Sequence, residues 1–507
     1  MKYTYAPDFL FRGYERLPFV GIFPYKKPLN ITPDMLEALE MCDGATEITE
    51  VSEGLDRLIE YRAVVPGEVP PKDYQEYRYH KNRYFPAAKW QITGRCNYRC
   101  KHCFNAVDNS PIFDEFTLSE AKDLIAQMEA CGVHKIEVTG GEPTLHPNFM
   151  EILSELSKAR INVTKINTNG SRITPELLAE IKSLGFHPLF AMSFDGIGFH
   201  DDFRGFPGAE KKLMEAIELL KRENLAVKID TRVNAGNADV MPPTVKLMDS
   251  LGINDMRIAR TMETPRWYKN SKEPFSERDY YEFALNIAEE YLKEPHNMHL
   301  NIWHVLNVYP VSGTIAPGAE VRSPYRGTAT VCGHNRGMFS VTNSGELAPC
   351  NQMSGFLKEM GVSFGNVKKT PLQNLLSDAF CDGSFIKGFV NKKLAIKAIT
   401  AMAMGKTSDG DSIIADLEGQ FDIETETIPK SYLTAADMRL DDLMNRIPQC
   451  KACKYLERCQ GGCRAIGLGI TGSYVQRDIT KCIWFHEGYA DRLETLMKKH
   501  NKEPVTN

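Results

Sequence analysis

Three cysteines in the segment GRCNYRCKHCFN (94–105) constrain this chain more than any other feature. Cys96, Cys100 and Cys103 are spaced C-x3-C-x2-C. Three thiolates on one tight loop can hold three irons of a cubane and leave the fourth iron open to bind and reduce a small molecule. A single zinc ion with His102 as fourth ligand is the competing reading. A Cys3His zinc loop, however, has no need of the glycine-rich partner loop found at Gly140–Pro143. The chain carries 13 cysteines, an odd number. The opening MKYTYAPDFLFRG lacks a basic stretch followed by an apolar one, so no export signal is read there. Reduced thiols and metal are therefore expected rather than disulfides.

Other function classes fall away on charge and hydropathy. A net charge of −5 does not suit a general polyanion binder, so nucleic acid is not expected as a partner. No apolar run reaches the roughly 20 residues that span a bilayer. LAIKAITAMAM (394–404) is too short and contains Lys397. The expectation is a cytoplasmic protein without membrane contact.

Residues 88–262 alternate between strand and helix patterns. Candidate strands are Lys89–Thr93, Lys135–Thr139, Val163–Asn167, Pro188–Ser193, Val227–Val233 and Met256–Ala259. Between them, Ala121, Leu124, Ile125 and Met128, and again Leu213, Ala216, Ile217 and Leu220, have helical i, i+3, i+4, i+7 spacing. Thr117 and Thr174 suit N-caps, and Glu120 completes a capping box with the first. Six such units predict a parallel sheet, open or curled toward a barrel. The unusual motifs gather at the strand ends: the cysteine loop, GGEP (Gly140, Gly141, Glu142, Pro143) and Asn169–Gly170 follow the first three strands, and Ser193–Asp195 ends the fourth. Strand-to-helix loops converge on that edge in β/α folds, and sites are built there.

C-x3-C-x2-C followed by an aromatic residue, here Phe104, after the first strand of a β/α domain resembles the radical S-adenosylmethionine (SAM) signature. The resemblance spans about 88–262 and implies an α/β fold, a partial (β/α)6 barrel. It implies that Cys96, Cys100 and Cys103 hold a [4Fe-4S] cluster whose open iron binds SAM. Reductive cleavage of SAM would then give a 5′-deoxyadenosyl radical that abstracts hydrogen from a substrate. By the same resemblance, TGGEPT (139–144) faces the methionine amino group. INTNG (166–170), with Thr168 and Asn169, contacts the ribose. SFDG (193–196) with HDDFRG (200–205) supplies Ser193 and Arg204 to the SAM carboxylate.

Downstream, Cys332 and Cys350 are followed by C-x2-C-x5-C-x3-C at Cys450, Cys453, Cys459 and Cys463, then by Cys482. This resembles the seven-cysteine SPASM extension that houses auxiliary [4Fe-4S] clusters. The resemblance assigns Cys450, Cys453, Cys459 and Cys482 to one cluster and Cys332, Cys350 and Cys463 to another. Where fully ligated relatives place a further cysteine, this chain has Met338. The second cluster is thus expected to have an open iron, or Cys381 as its fourth ligand. Glycines and cysteines replace apolar periodicity here, which suggests a small domain held by metal rather than by a core. Cys42 and Cys131 are read as buried small hydrophobes.

The organisation expected is a domain at 1–87, a radical SAM core at 88–325 and a SPASM domain at 326–507, with an insertion at about 394–447. PLNITPDMLEALEMCDGATEITEV (28–51) resembles the winged-helix-like, PqqD-like domains that bind leader peptides by adding a strand to a sheet edge. Together these resemblances imply a peptide-modifying enzyme of ribosomal precursor peptides. It would form a thioether or carbon–carbon crosslink, with a ferredoxin or flavodoxin as low-potential electron donor in an anaerobic process. The alternatives are a sulfatase-maturing enzyme, a peptide epimerase, and a non-catalytic cluster or zinc scaffold. Asn351 stands where sulfatase-maturing relatives carry a basic aspartate, and an amide cannot accept the proton.

Overall fold

The computed structural model describes residues 1–23, 26–103, 114–261, 267, 275–318, 324–332, 337–387 and 426–501. Its centre is one 11-stranded sheet. Labels run along this sheet in chain order: β1 Ala87–Gln91, β2 Lys135–Thr139, β3 Asn162–Asn167, β4 Leu189–Ser193, β5 Val227–Val233, β6 Asp255–Arg260, β7 His299–Ile302, β8 Leu306–Tyr309, β9 Thr314–Pro317, β10 Met338–Val341 and β11 Leu347–Ala348. The spatial order is β9-β8-β7-β6-β5-β4-β3-β2-β1-β10-β11. From β1 to β7 each strand runs parallel to the next. β10 joins the free edge of β1, also in parallel, while β8, β9 and β11 pair antiparallel.

The six strands expected from the sequence are β1 to β6, with ends shifted by at most two residues. Their alternation explains the layers. In β5, VKIDTRV, the residues Val227, Ile229, Thr231 and Val233 are buried, and Lys228, Asp230 and Arg232 between them are half-buried. The apolar faces, including Trp90, Val138, Ile166, Phe190, Ile229 and Ile258, pack under the helices. The helix Leu118–Ala130 starts at the expected capping box. The Thr117 hydroxyl accepts from Glu120 N–H at 3.2 Å and the Glu120 carboxylate from Thr117 N–H at 2.8 Å.

The carboxy-terminal region departs from expectation. It is not a metal-held appendage without a core. Leu357, Phe364, Leu372, Ile428, Tyr432, Leu443 and Trp484 belong to the same buried cluster as the barrel. The part of the expected insertion that is described, 426–447, supplies several of these side chains; residues 394–425 lie outside the described set. The sheet itself continues past residue 325 through β10 and β11. The reason is local. Helices here include spans of only four to nine residues, as at Leu456–Cys459 and Asn351–Glu359, too short to print a helical period on the sequence.

Residues 1–83 form a second core around Phe9, Met35, Leu39, Cys42, Leu55 and Leu58. Helices Pro33–Glu40 and Glu53–Glu60 and strand Val64–Pro66 lie within this region. A four-stranded sheet, ordered 29–30, 17–22, 10–15, 78–83, was not legible. It docks on the barrel through Tyr14, whose hydroxyl donates to the Gly132 carbonyl at 3.1 Å. It docks on the carboxy-terminal region through Arg16 and Arg83, which both pair with Asp378 and Asp437. Cys42 and Cys131 are buried, as expected. Among the described residues no helix is long and apolar enough to cross a membrane.

Candidate iron–sulfur and cofactor site

The cysteine loop follows β1 and is tied to the short helix His200–Arg204. Arg99 N–H donates to the Arg204 carbonyl at 3.0 Å, and Lys101 N–H to that of Phe203 at 2.9 Å. His102 stacks on Phe203 at 4.1 Å with an interplanar angle of 6°, and Tyr98 stacks on Phe206 at 4.6 Å. These contacts fix a loop that has no regular structure of its own. Phe104, the aromatic residue of the signature, lies outside the described residues.

The three thiols lie within electrostatic reach of one another. Burial pushes the Cys96 thiol up to about 12, and Cys100 and Cys103 push the same way. Burial also raises Cys100, opposed by the guanidinium of Arg204 and reinforced by Cys103. Downstream thiols separate into two neighbourhoods. Cys350 is raised to about 12 by burial, with Cys463 and Cys332 adding to it. Cys459 is likewise raised to about 12, with Cys450 among its neighbours, and Cys482 is raised with Cys459 and Cys450 beside it. Cys450 in turn has Cys453 as a neighbour. Among the described residues no three His, Cys, Asp or Glu side chains converge on a single-ion position; cubane ligands surround four irons rather than one point.

Thiols held this high must shed protons to bind iron. Loading iron and sulfide into the metal-free protein is therefore expected to release protons, and to go further as pH rises through the neutral range. A pH-stat titration run beside iron analysis reads both, and pH-independent uptake would contradict the assignment.

GGEP packs against the start of the cysteine loop. Gly141 N–H donates to the Thr93 carbonyl at 2.8 Å and Glu142 N–H to that of Arg95 at 2.6 Å. A side-chain carbon at Gly140 would run into the Thr93 carbonyl oxygen, and one at Gly141 into that of Arg95. The close approach these glycines permit is thus to residues 93–95 as well as to any ligand. Glu142 is fully buried. Its carboxylate accepts from the Thr144 and Thr168 hydroxyls, each at 2.7 Å, and from Asn169 N–H at 2.7 Å. Burial raises its pKa against the pull of those donors. Its carboxylate therefore braces the Thr168–Asn169 turn from within. Pro143 opens a 3-10 turn, Pro143–Leu145. Asn169 donates from Nδ2 to Asn97 Oδ1 at 2.8 Å, which links the turn to the cysteine loop.

Ser193 ends β4. Arg204, read from the sequence as a partner for the SAM carboxylate, commits its Nε to Asp195 Oδ2 at 2.6 Å and points Nη1 at Cys100 Sγ, 3.8 Å away. Asp195 is fully buried. Burial would raise it, but Arg204 and His200 hold it well below the usual carboxylate range. Asp195 also accepts from Arg232 N–H at 2.9 Å, so one carboxylate joins β5 to the cysteine loop. SFDG was legible as a motif, but nothing local to it gave Asp195 this role.

The second trio of cysteines is connected to the barrel mouth. Cys350 immediately precedes the helix Asn351–Glu359. The Asn351 side-chain carbonyl accepts from Gln91 at the end of β1. Tyr432, fully buried, lies beside Cys332 and Cys350 and donates its hydroxyl to the Met338 carbonyl at 3.1 Å. Cys381 has Thr434 Oγ1 at 3.9 Å.

Residues 90–236 match a family model described as the Radical SAM superfamily. An AdoMet-dependent heme synthase of Methanosarcina barkeri (strain Fusaro / DSM 804) is 28% identical over 297 residues, 57% of this chain and 81% of the relative. The antilisterial bacteriocin subtilosin biosynthesis protein AlbA of Bacillus subtilis (strain 168) is 23% identical over 352 residues, 62% of this chain and 70% of that one. Among solved structures, Streptococcus suis SuiB bound to S-adenosylmethionine gives a TM-score of 0.56 at 12% identity, covering 94% of this chain and 99% of that chain. SuiB bound to its precursor peptide SuiA gives 0.55 at 13% identity, with the same coverage.

Proposed function

We propose that this chain, which carries a radical SAM domain, modifies a ribosomally made precursor peptide and closes a thioether crosslink from a peptide cysteine to a carbon. The cofactors of such a domain are a [4Fe-4S] cluster and S-adenosylmethionine, and the residues here fit both. Cys96, Cys100 and Cys103 would hold the cluster. Gly140, Gly141 and Pro143 would offer backbone to the methionine end, Thr168 and Asn169 the ribose contact, and Ser193 the carboxylate contact. Arg204 keeps the charge of the cysteine loop balanced through Asp195 and Cys100. When bound, the cluster supplies the electron that cleaves S-adenosylmethionine, whose adenosyl fragment then removes a hydrogen atom from the substrate.

The observation that carries the reading is the trio Cys332, Cys350 and Cys463, joined to the barrel mouth through Asn351 and Gln91. Cys463 and Cys332 both act on Cys350, and Cys332 acts on Cys463. A cluster held by three thiolates leaves an iron that takes a peptide thiolate and keeps it deprotonated. AlbA, a bacteriocin biosynthesis protein, and SuiB, solved with its precursor peptide, support a peptide substrate. Asn351 speaks against sulfatase maturation. A ferredoxin or flavodoxin would supply the low-potential electron, and the amino-terminal sheet would offer its edge to a leader segment. The heme synthase relative supports a second reading, a tetrapyrrole substrate.

The test is anaerobic incubation of the reconstituted enzyme with SAM, reductant and cysteine-containing precursor peptides. Deoxyadenosine together with a peptide lighter by two hydrogens, and no product once the peptide cysteine is alkylated, is the expected result. Turnover on an iron porphyrin with no mass change in any peptide would replace it with the second reading.

A further inference from the structure

One face of the sheet carries charge where barrel interiors are ordinarily filled by branched apolar side chains. Lys89 of β1, Lys165 of β3, Lys228 and Arg232 of β5 and Arg257 of β6 stand against three carboxylates, Glu137, Asp230 and Asp255. Glu137 is shared by Lys89 at 3.7 Å and Lys165 at 2.7 Å. Asp230 pairs with Arg257 at 2.7 Å, and Asp255 pairs with Lys228 and, at 2.7 Å, with His299. Those residues occupy one another.

Among these five cations, Arg232 is the one with a donor nitrogen that makes no hydrogen bond. Its Nη1 is enclosed and has no hydrogen-bond partner among the described residues. Its backbone is fixed, because its N–H donates to Asp195 and its carbonyl accepts from Asn237 Nδ2 at 2.9 Å. Register places it opposite Ala259 of β6, two residues nearer the cysteine-loop edge than the Asp230–Arg257 pair. Burial, with Arg257 close by, pushes its pKa down to about 10. The carboxylate nearest its backbone, Asp195, is already engaged by Arg204 and His200. An enclosed guanidinium with a donor left over is costly unless an anion meets it.

S-adenosylmethionine does not correct the balance. Its sulfonium offsets its own carboxylate, so its binding leaves the cationic surplus of this face in place. An anionic group on the substrate would add to Asp230 and Asp195, the carboxylates that already act on Arg232.

We propose that Arg232, at the head of this cationic face, binds a carboxylate carried by the substrate, an aspartate or glutamate side chain of the peptide. This rests on the peptide-modifying reading above and adds to it a substrate class. Arg232 donates two parallel N–H groups to the carboxylate, and Lys228 and Arg257 deepen the potential beneath it. The acidic residue becomes the anchor that sets which neighbouring residue faces the reacting edge of the barrel.

The test uses the holoenzyme loaded with SAM and two capped peptides, Ac-Gly-Glu-Gly-amide and Ac-Gly-Gln-Gly-amide. Binding is followed by saturation-transfer NMR. Wild type is expected to prefer the glutamate peptide at least tenfold, Arg232→Lys to keep part of that preference and Arg232→Met to lose it. Equal binding of the two peptides to wild type would overturn the proposal, and this comparison needs no variant to fold. A preference that survives in Arg232→Met would also overturn it, and a parallel loss of SAM affinity would then assign Arg232 to the cofactor. Failure of the peptide-modifying reading shows separately, as absence of a peptide mass change. A carboxylate preference without that change would move the anchor to another acid-bearing substrate.

Discussion

Replacing Cys96, Cys100 and Cys103 together by alanine is expected to remove about four irons per chain and to abolish deoxyadenosine formation, while about eight irons remain in the auxiliary sites. The three thiols share one loop and one neighbourhood, and the thiols acting most on Cys96 and Cys100 belong to that same loop. The loop should survive their loss. Its backbone is held by the carbonyls of Phe203 and Arg204 and its rings by Phe203 and Phe206, none of which involves sulfur. The auxiliary sets lie on other elements, so their iron reports that the variant is folded. Iron and sulfide analysis with a SAM-cleavage assay on wild type and variant reads both effects. Zinc in place of iron, or cleavage that survives the triple change, would remove the basis for a SAM-cleaving cluster.

Asp195→Asn should cost the metal-free protein on the order of 3–5 kcal/mol, because it leaves the Arg204 guanidinium buried without its counter-charge. Asp195 is fully buried and Arg204 nearly so. The same carboxylate accepts from Arg232 N–H, so three elements loosen together. The sign with pH follows from the depressed pKa of Asp195. Its contribution is fully present above the ordinary carboxylate range and is lost as pH falls toward the lower folded value. Wild type and Asp195→Asn should therefore converge in strongly acid solution. Urea unfolding at neutral and acid pH measures this. A double variant, Asp195→Asn with Arg204→Met, should recover part of the loss, since the stranded charge is gone. A single variant as stable as wild type would show that the pair does not hold the loop.

The barrel was legible because its strands alternate and its longer helices run for ten residues or more. A period of two in β5 and of 3.6 in Ala209–Arg222 is a direct trace of one face turned inward. The Cys96–Cys103 loop was legible because ligand spacing on one loop is a local property, whereas the downstream sets rested on the resemblance. The roles of Glu142 and Arg204 were not, because motif order does not say whether a polar side chain faces a ligand or the protein. Both turned out to be held internally, by Thr168 and Asn169 in one case and by Asp195 in the other.

The parallel strands, their helices, the spacing of the cysteines and the edge on which the motifs gather could be read without coordinates, since each depends on residues close together in the chain. Four features emerged only from tertiary contacts. The carboxy-terminal region shares the barrel's core, β10 closes onto β1, Asn351 meets Gln91, and five cations gather on one face of the sheet, Arg232 among them with Nη1 making no hydrogen bond. These depend on residues tens to hundreds of positions apart. Side-chain charge carries no period that reveals its partner, so such pairings exist only once the strands are in register.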